Sequence, residues 1–115
     1  MSSQSIPLLT LTLAAASAVA VCRLVTPLGA QAGADANTIG VARTAAAIDE
    51  KFPVDVRGTT SVESGAAVAA GATVKSDASG RAITWAVSGA KVGIAIEAAT
   101  AAGQIIEVLL VDNVA

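Results

Sequence analysis

The chain has no histidine and no tyrosine, and only one tryptophan, one phenylalanine and one cysteine in 115 residues. Each absence removes a class of function. Without histidine the commonest general base and the commonest metal ligand are gone, and a Ser-His triad is impossible. A single cysteine, Cys22, excludes an intrachain disulfide and every multi-cysteine zinc pattern. Basic residues are few and scattered: seven Lys and Arg face nine Asp and Glu, for a net charge of −2. A nucleic-acid-binding surface normally shows a basic stripe, and none is present. The glycine-rich stretches lack the Gly-Lys-Ser/Thr of a phosphate loop, and "ADANT" is too thin for a calcium loop. No catalytic residue, metal site or cofactor is therefore expected. The carboxylates Asp49, Glu50, Asp55, Glu97 and Glu107 read as solvated loop and strand-face charges.

What fills the chain instead is small and apolar. Hydrophobic residues make up 54% of it but aromatics only 2%, so the core must be built from Ala, Val, Ile and Leu. Alanine alone accounts for roughly a quarter of the residues, several times ordinary usage. Each buried alanine removes little area from water, so a core of this kind is thin and favours association with partners. Trp85, in the alternating run Ile83, Trp85, Val87, reads as an anchor, either of the core or of an interface.

The N-terminal run "IPLLTLTLAAASAVAVC" has three readings. No basic residue precedes it, as a signal peptide requires, and Val21 stands where a lipoprotein signal has a small residue before Cys22. It is short for a membrane span, which needs about 20 apolar residues, and Pro7, Thr10, Thr12 and Ser17 interrupt it. The alternation of Leu9, Leu11 and Leu13 with Thr10 and Thr12 instead has the period of a strand. Val19, Val21, Arg23 and Val25 suggest a second alternating run, with Cys22 as a small buried residue on its other face. Residues 1–7, "MSSQSIP", read as a flexible arm, and residues 8–115 as a single β domain.

Further on, "TPLGAQAGADANT" is a turn-rich connection, and Ile39 to Ala42 a short strand. Phe52, Val54 and Val56 alternate with Pro53, Asp55 and Arg57; proline confines that run to an edge or to a strand's first residues. Val62 begins a further strand, and "SGAAVAAGATV" is a strand or one helical turn. Asp77 to Gly80 supplies turn chemistry for a hairpin between "ATVKS" and "RAITWAV". The closing strand, Ile106, Val108 and Leu110 against Glu107 and Leu109, is apolar on both faces near its end and suits burial between layers or against a neighbour.

One plan occurs twice. "GVARTAAAIDEKFPVDV" and "GIAIEAATAAGQIIEVLLV" each begin with glycine and a short apolar run, cross an alanine patch, and resume as a strand. Aligning Phe52, Val54 and Val56 with Ile106, Val108 and Leu110 needs a one-residue shift. The patches are too short for stable helices and read as wide loops or single helical turns. Two copies of strand–wide loop–strand predict an all-β fold, a small compact barrel or two-sheet sandwich. The Gly-x-x-Val cadence of "SGAAVAAGATVKS" also occurs in carrier domains, but Lys75 follows the cadence and is absent from the hairpin tip.

In order, "LTLTLAAASAVAVCRLVT", "NTIGVARTAAAIDEKFPVDVRGTTSVESGAAVAAGATVKSDASGRAI" and "VGIAIEAATAAGQIIEVLLV" resemble the small capsid cement or head decoration proteins of tailed bacteriophages. The resemblance runs from about Leu8 onward and rests on the shared order of small-residue patterns. It implies a non-enzymatic virion structural protein on the outer surface of an icosahedral head, made in the host cytoplasm. Its implied partners are the major capsid protein and itself, as a homotrimer, with neither nucleic acid nor membrane. Composition and exposure, apart from the resemblance, nominate the arm residues Ser2, Ser3, Gln4, Ser5, Ile6 and Pro7, together with Trp85, as capsid or subunit contacts. The rival reading is a small β-barrel binding or carrier module of a larger complex.

Overall fold

Period-two alternation and β-branched residues set the strands, and glycines set where they turn. The computed structural model describes residues 5–86 and 88–111, and among these there is no helix. The strands are β1 (Ile6–Ala14), β2 (Leu24–Val25), β3 (Gly40–Ala42), β4 (Lys51–Glu63), β5 (Thr73–Ser76), β6 (Ala82–Thr84), β7 (Gly93–Ala95) and β8 (Ile105–Leu110). They form one sheet in the order β2-β3-β4-β8-β7-β5-β6, with β1 pairing β4. All seven strand pairings are antiparallel. The sheet curls until its ends meet: Leu24 N of β2 donates to Gly80 O in the β5–β6 turn, 2.8 Å. Beside it Arg23 Nη1 and Gln31 Nε2 both donate to Ser79 O. The result is the all-β, barrel-like fold expected, with the alanine patches as wide loops.

β4 is one strand of 13 residues, where the sequence reads as a strand at Phe52–Val56 and a new one from Val62. Gly58 lets it run through. It adopts φ +94°, and a Cβ there would strike the carbonyl oxygen of Ile6. Gly58 faces Pro7 while Arg57 faces Leu9, so Leu8 is the extra residue of a bulge. Asp55 then faces Thr10, leaving Val56 as the matching extra residue on β4 and restoring the register. The expected alternating run from Val19 to Val25 is instead broken. Val19 makes a single bridge to Ala46, Cys22 takes a left-handed φ of 61°, and only Leu24–Val25 is strand. A left-handed residue turns the chain and cannot sit in an extended run. "SGAAVAAGATV" is likewise neither strand nor helical turn until Thr73; Val68 makes one bridge, to Ala99.

The doubled plan of the sequence is a duplication of structure, bond for bond. The first unit runs from β1 through the first part of β4, the second from the last part of β4 through β8. Val19 and Ala46 exchange both backbone hydrogen bonds, as do Val68 and Ala99. Cys22 N donates to Ala42 O as Gly71 N does to Ala95 O, and Ala15 N to Glu50 O as Ser64 N does to Gln104 O. Side chains follow: Glu50 Oε1 accepts from Ala47 N as Gln104 Oε1 accepts from Thr100 N. The strand register repeats too, Leu13 opposite Phe52 as Val62 is opposite Ile106. The one-residue shift lies in the alanine loop, between Ala46/Ala99 and Glu50/Gln104.

Two cores result. One holds Ala15, Val19, Val25, Ala42, Ala46, Phe52 and Val54 of the first unit. The other holds their counterparts Val68, Val74, Ala95, Ala99, Ile106 and Val108, and in addition Leu24, Ala32 and Val41 of the first unit. Leu24, Ala32 and Val41 thus join the first unit to the second through the second core.

Candidate functional site

Asp55 is fully buried, beside a shallow pocket of about 180 Å³ lined by Ser5, Cys22, Ala42, Arg43, Asp55, Thr60 and Ser61. Its oxygens are already engaged. Thr10 Oγ1 donates to Oδ1 (3.1 Å) and Thr60 Oγ1 to Oδ2 (2.9 Å), while Arg43 Nε lies 3.5 Å from Oδ1. Ser5 Oγ reaches Oδ2 at 3.5 Å. A buried carboxylate held this way joins β1 to β4 and is poorly placed to exchange a proton with a substrate. Cys22, on the same pocket, has its thiol pKa raised by burial and then by the nearby Glu63 carboxylate, the opposite of an activated nucleophile. Among the described residues no three His, Cys, Asp or Glu side chains gather to hold a metal. No described helix is long and apolar enough to cross a membrane. Lys75 is tied down, its Nζ 2.7 Å from Asp35 Oδ1 and 3.1 Å from Ser88 O, unlike a lysine swinging from a hairpin tip.

The exposed apolar surface is more informative. Backbone pairing sets one row across the second unit: Trp85 N donates to Thr73 O, Thr73 faces Ile94, and Ile94 faces Leu109. Alternation puts Ile105 on the same face as Leu109, and Ile96 joins it through its hydrogen bond to Glu107 O. Ile94, Ile96, Ile105 and Leu109 are exposed by 37, 47, 40 and 38%. Trp85 is half-buried at the end of the row. Its indole Nε1 donates to Gly89 O (2.9 Å), and Lys91 Nζ lies 4.6 Å from the ring centroid. Both contacts fix the ring's orientation.

The row has a counterpart in the first unit. There Ala32 N donates to Leu24 O, Leu24 faces Val41, and Val41 faces Asp55. All four residues are exposed by 1% or less. The same backbone thus carries a covered row in one unit and an open row in the other.

Of the residues nominated from the sequence, Trp85 belongs to this face. Ser5, Ile6 and Pro7 lie at the far end of β1: Ser5 Oγ donates to Thr59 O, and Ile6 and Pro7 pair with Thr59 and Gly58. β1 thus starts inside the segment read as an arm. Ser2, Ser3 and Gln4 lie outside the described residues. Reading the sequence missed Ile94, Ile96, Ile105 and Leu109. The doubly apolar end of β8 was the available signal.

A family model described as phage cement protein matches residues 3–110. No curated relative matches the chain. Among solved structures it is similar to the head fiber gp8.5 N base of bacteriophage phi29, at 18% identity and a TM-score of 0.72, over 90% of this chain and 94% of that one. That likeness carries the fold.

Proposed function

The chain belongs to the phage cement protein family and is a capsid-associated structural protein; we propose that it is a non-enzymatic cement subunit on the outer surface of the icosahedral head. It is made in the host cytoplasm, joins the shell through the major capsid protein, and acts as a homotrimer. The observation that carries this reading is the family match along nearly the whole chain. Two features support it: the buried carboxylate of Asp55 is engaged within the fold, and four exposed aliphatic side chains, Ile94, Ile96, Ile105 and Leu109, lie together on a sheet face. A clamp needs a rigid body and contact surfaces, and multivalent attachment lets individually weak contacts add up.

Two contacts follow from the placement of the nominated residues. Ile6 and Pro7 open β1 beside the bulged Leu8, which is 79% exposed, and the segment 2–7 would meet the capsid. Trp85, on the open face, would meet a neighbouring subunit.

The test is co-sedimentation of purified protein with expanded, undecorated heads of its own phage, with heat survival of the heads as a second readout. Saturable binding and a raised disruption temperature are expected. Removing residues 2–4, which leaves Ser5 and its contact to Asp55, should weaken binding without lowering the melting temperature. Absence of binding to the cognate shell would overturn the cement reading, and unchanged binding of the shortened chain would overturn the role of the N-terminal segment.

A further inference from the structure

We infer that the open face of the second unit docks on the first unit of another copy of this chain, repeating between molecules the junction that joins the two units within one. This rests on the self-association proposed above and specifies its surface. Within the molecule, the row Ala32, Leu24, Val41 of the first unit joins the buried core of the second, which also holds Val62, Val92 and Leu110. That junction is one-sided: an outer row of one unit covers the inner face of the other. It leaves two complementary surfaces unused. The first is the equivalent outer row, Trp85, Thr73, Ile94 and Leu109.

The second is the inner face of the first unit. Leu13, Ile39 and Val56 are the counterparts of Val62, Val92 and Leu110. Leu13 and Val62 hold matching register positions on equivalent strand pairs, opposite Phe52 and Ile106. Ile39 N donates to Val25 O as Val92 N does to Val74 O. Val56 follows Val54 as Leu110 follows Val108. Val62, Val92 and Leu110 are exposed by 0, 1 and 8% and share one buried cluster with Leu24, Ala32 and Val41 of the first unit. Leu13, Ile39 and Val56 pack on their own core yet remain partly exposed.

One surface lacks the cover, the other lacks something to cover, and both are apolar. A second copy supplies each at once, head to tail. Such a contact is heterologous, so it generates a ring when the rotation closes and a filament when it does not. The homotrimer proposed above is the closed case. The occupant is thus a like chain, because the shape of the missing partner already exists in the molecule.

A head-to-tail contact makes a prediction that a two-fold contact does not. Ile94→Lys with Leu109→Lys removes the outer row, and Leu13→Asp removes the inner face; Leu11→Asp, at the next position along that face, replaces it should Leu13→Asp melt early. Masses are read by light scattering, with circular dichroism confirming folding. The wild type is expected as a trimer and each variant alone as a monomer at one third of that mass. An equimolar mixture of the two variants should form a pair of twice the monomer mass, through the one intact surface on each. Folded variants that remain trimeric overturn this interface and leave self-association standing. A mixture that stays monomeric overturns the head-to-tail arrangement. A wild type that is monomeric at every concentration overturns the self-association reading itself, and the interface with it.

Discussion

Asp49 and Gly103 are the same residue of the two units: both take left-handed backbone angles, φ 70° and 86°, and both donate their N–H over 2.8 Å to the matching carbonyl, of Ala15 and Ser64. Each marks the point where an alanine loop turns back into the strand that closes its unit. Glycine meets this conformation without a Cβ penalty, and Asp is among the few other residues that visit it readily.

The duplication therefore contains its own control. No atom lies within 4 Å of a Cβ built at Gly103, so the backbone angle alone decides the outcome. Gly103→Ala should cost about 1 kcal/mol of unfolding free energy, whereas Gly103→Asp, the residue the first unit already uses, should cost less. Chemical denaturation of the two variants against the wild type measures the difference. Equal losses would show that the loop, and not its φ, sets the cost.

The matched cores give a second expectation. Phe52 and Ile106 hold equivalent places and are each exposed by 1%. In an alanine-rich interior few neighbours are large enough to fill a void. Phe52→Ala should cost about 3–5 kcal/mol and Ile106→Ala about 2–5 kcal/mol, while Phe52→Leu should lose less than either. Denaturant midpoints at constant m-value are the appropriate readout.

How far the sequence carries the structure depends on what each residue must do locally. Glycine and alternation are local, and they made the hairpin legible: Asp77 Oδ1 accepts from Ser79 N and Arg81 N in the turn between β5 and β6. The doubled plan was legible for the same reason, down to its one-residue shift. The bulge at Leu8 and the continuity of β4 through Gly58 were not, because both depend on which strand lies opposite. Cys22 broke an expected strand by adopting a backbone angle that its counterpart Gly71 advertises and a cysteine does not. The docking face was the least visible. Ile94 and Leu109 alternate as a buried strand pair would, and only the order of layers leaves them open, while Val41, at the position equivalent to Ile94, is covered.

Cys22 tests the pocket beside Asp55. Burial and the Glu63 carboxylate raise its thiol pKa above the ordinary value, so less thiolate is present at mildly alkaline pH than in a free thiol. Alkylation by iodoacetamide at pH 8 should be slower than for a small-molecule thiol and should recover in denaturant. A rate in the folded protein equal to that of the free thiol would contradict the placement.

The last expectation concerns the pair that holds the segment before β3 against β5. Lys75 Nζ lies 2.7 Å from Asp35 Oδ1, and the Lys75 hydrogen bond lowers the Asp35 pKa; desolvation opposes it, and the Lys75 charge and a hydrogen bond from Ser88 add to the lowering. A carboxylate whose pKa is lower folded than unfolded stabilises the fold fully above its unfolded value, about 3.9 for Asp. That contribution is lost as pH falls through the lower folded value. Asp35→Asn isolates the charge, because Asn also tolerates the residue's positive φ of 59°. The variant should melt below the wild type at pH 7, and the gap should close as the pH drops under the ordinary carboxylate range. Asp35 faces solvent, so added salt should narrow the gap at pH 7 as well. A gap independent of both pH and salt would mean that Asp35 acts through its hydrogen-bond geometry and not through its charge.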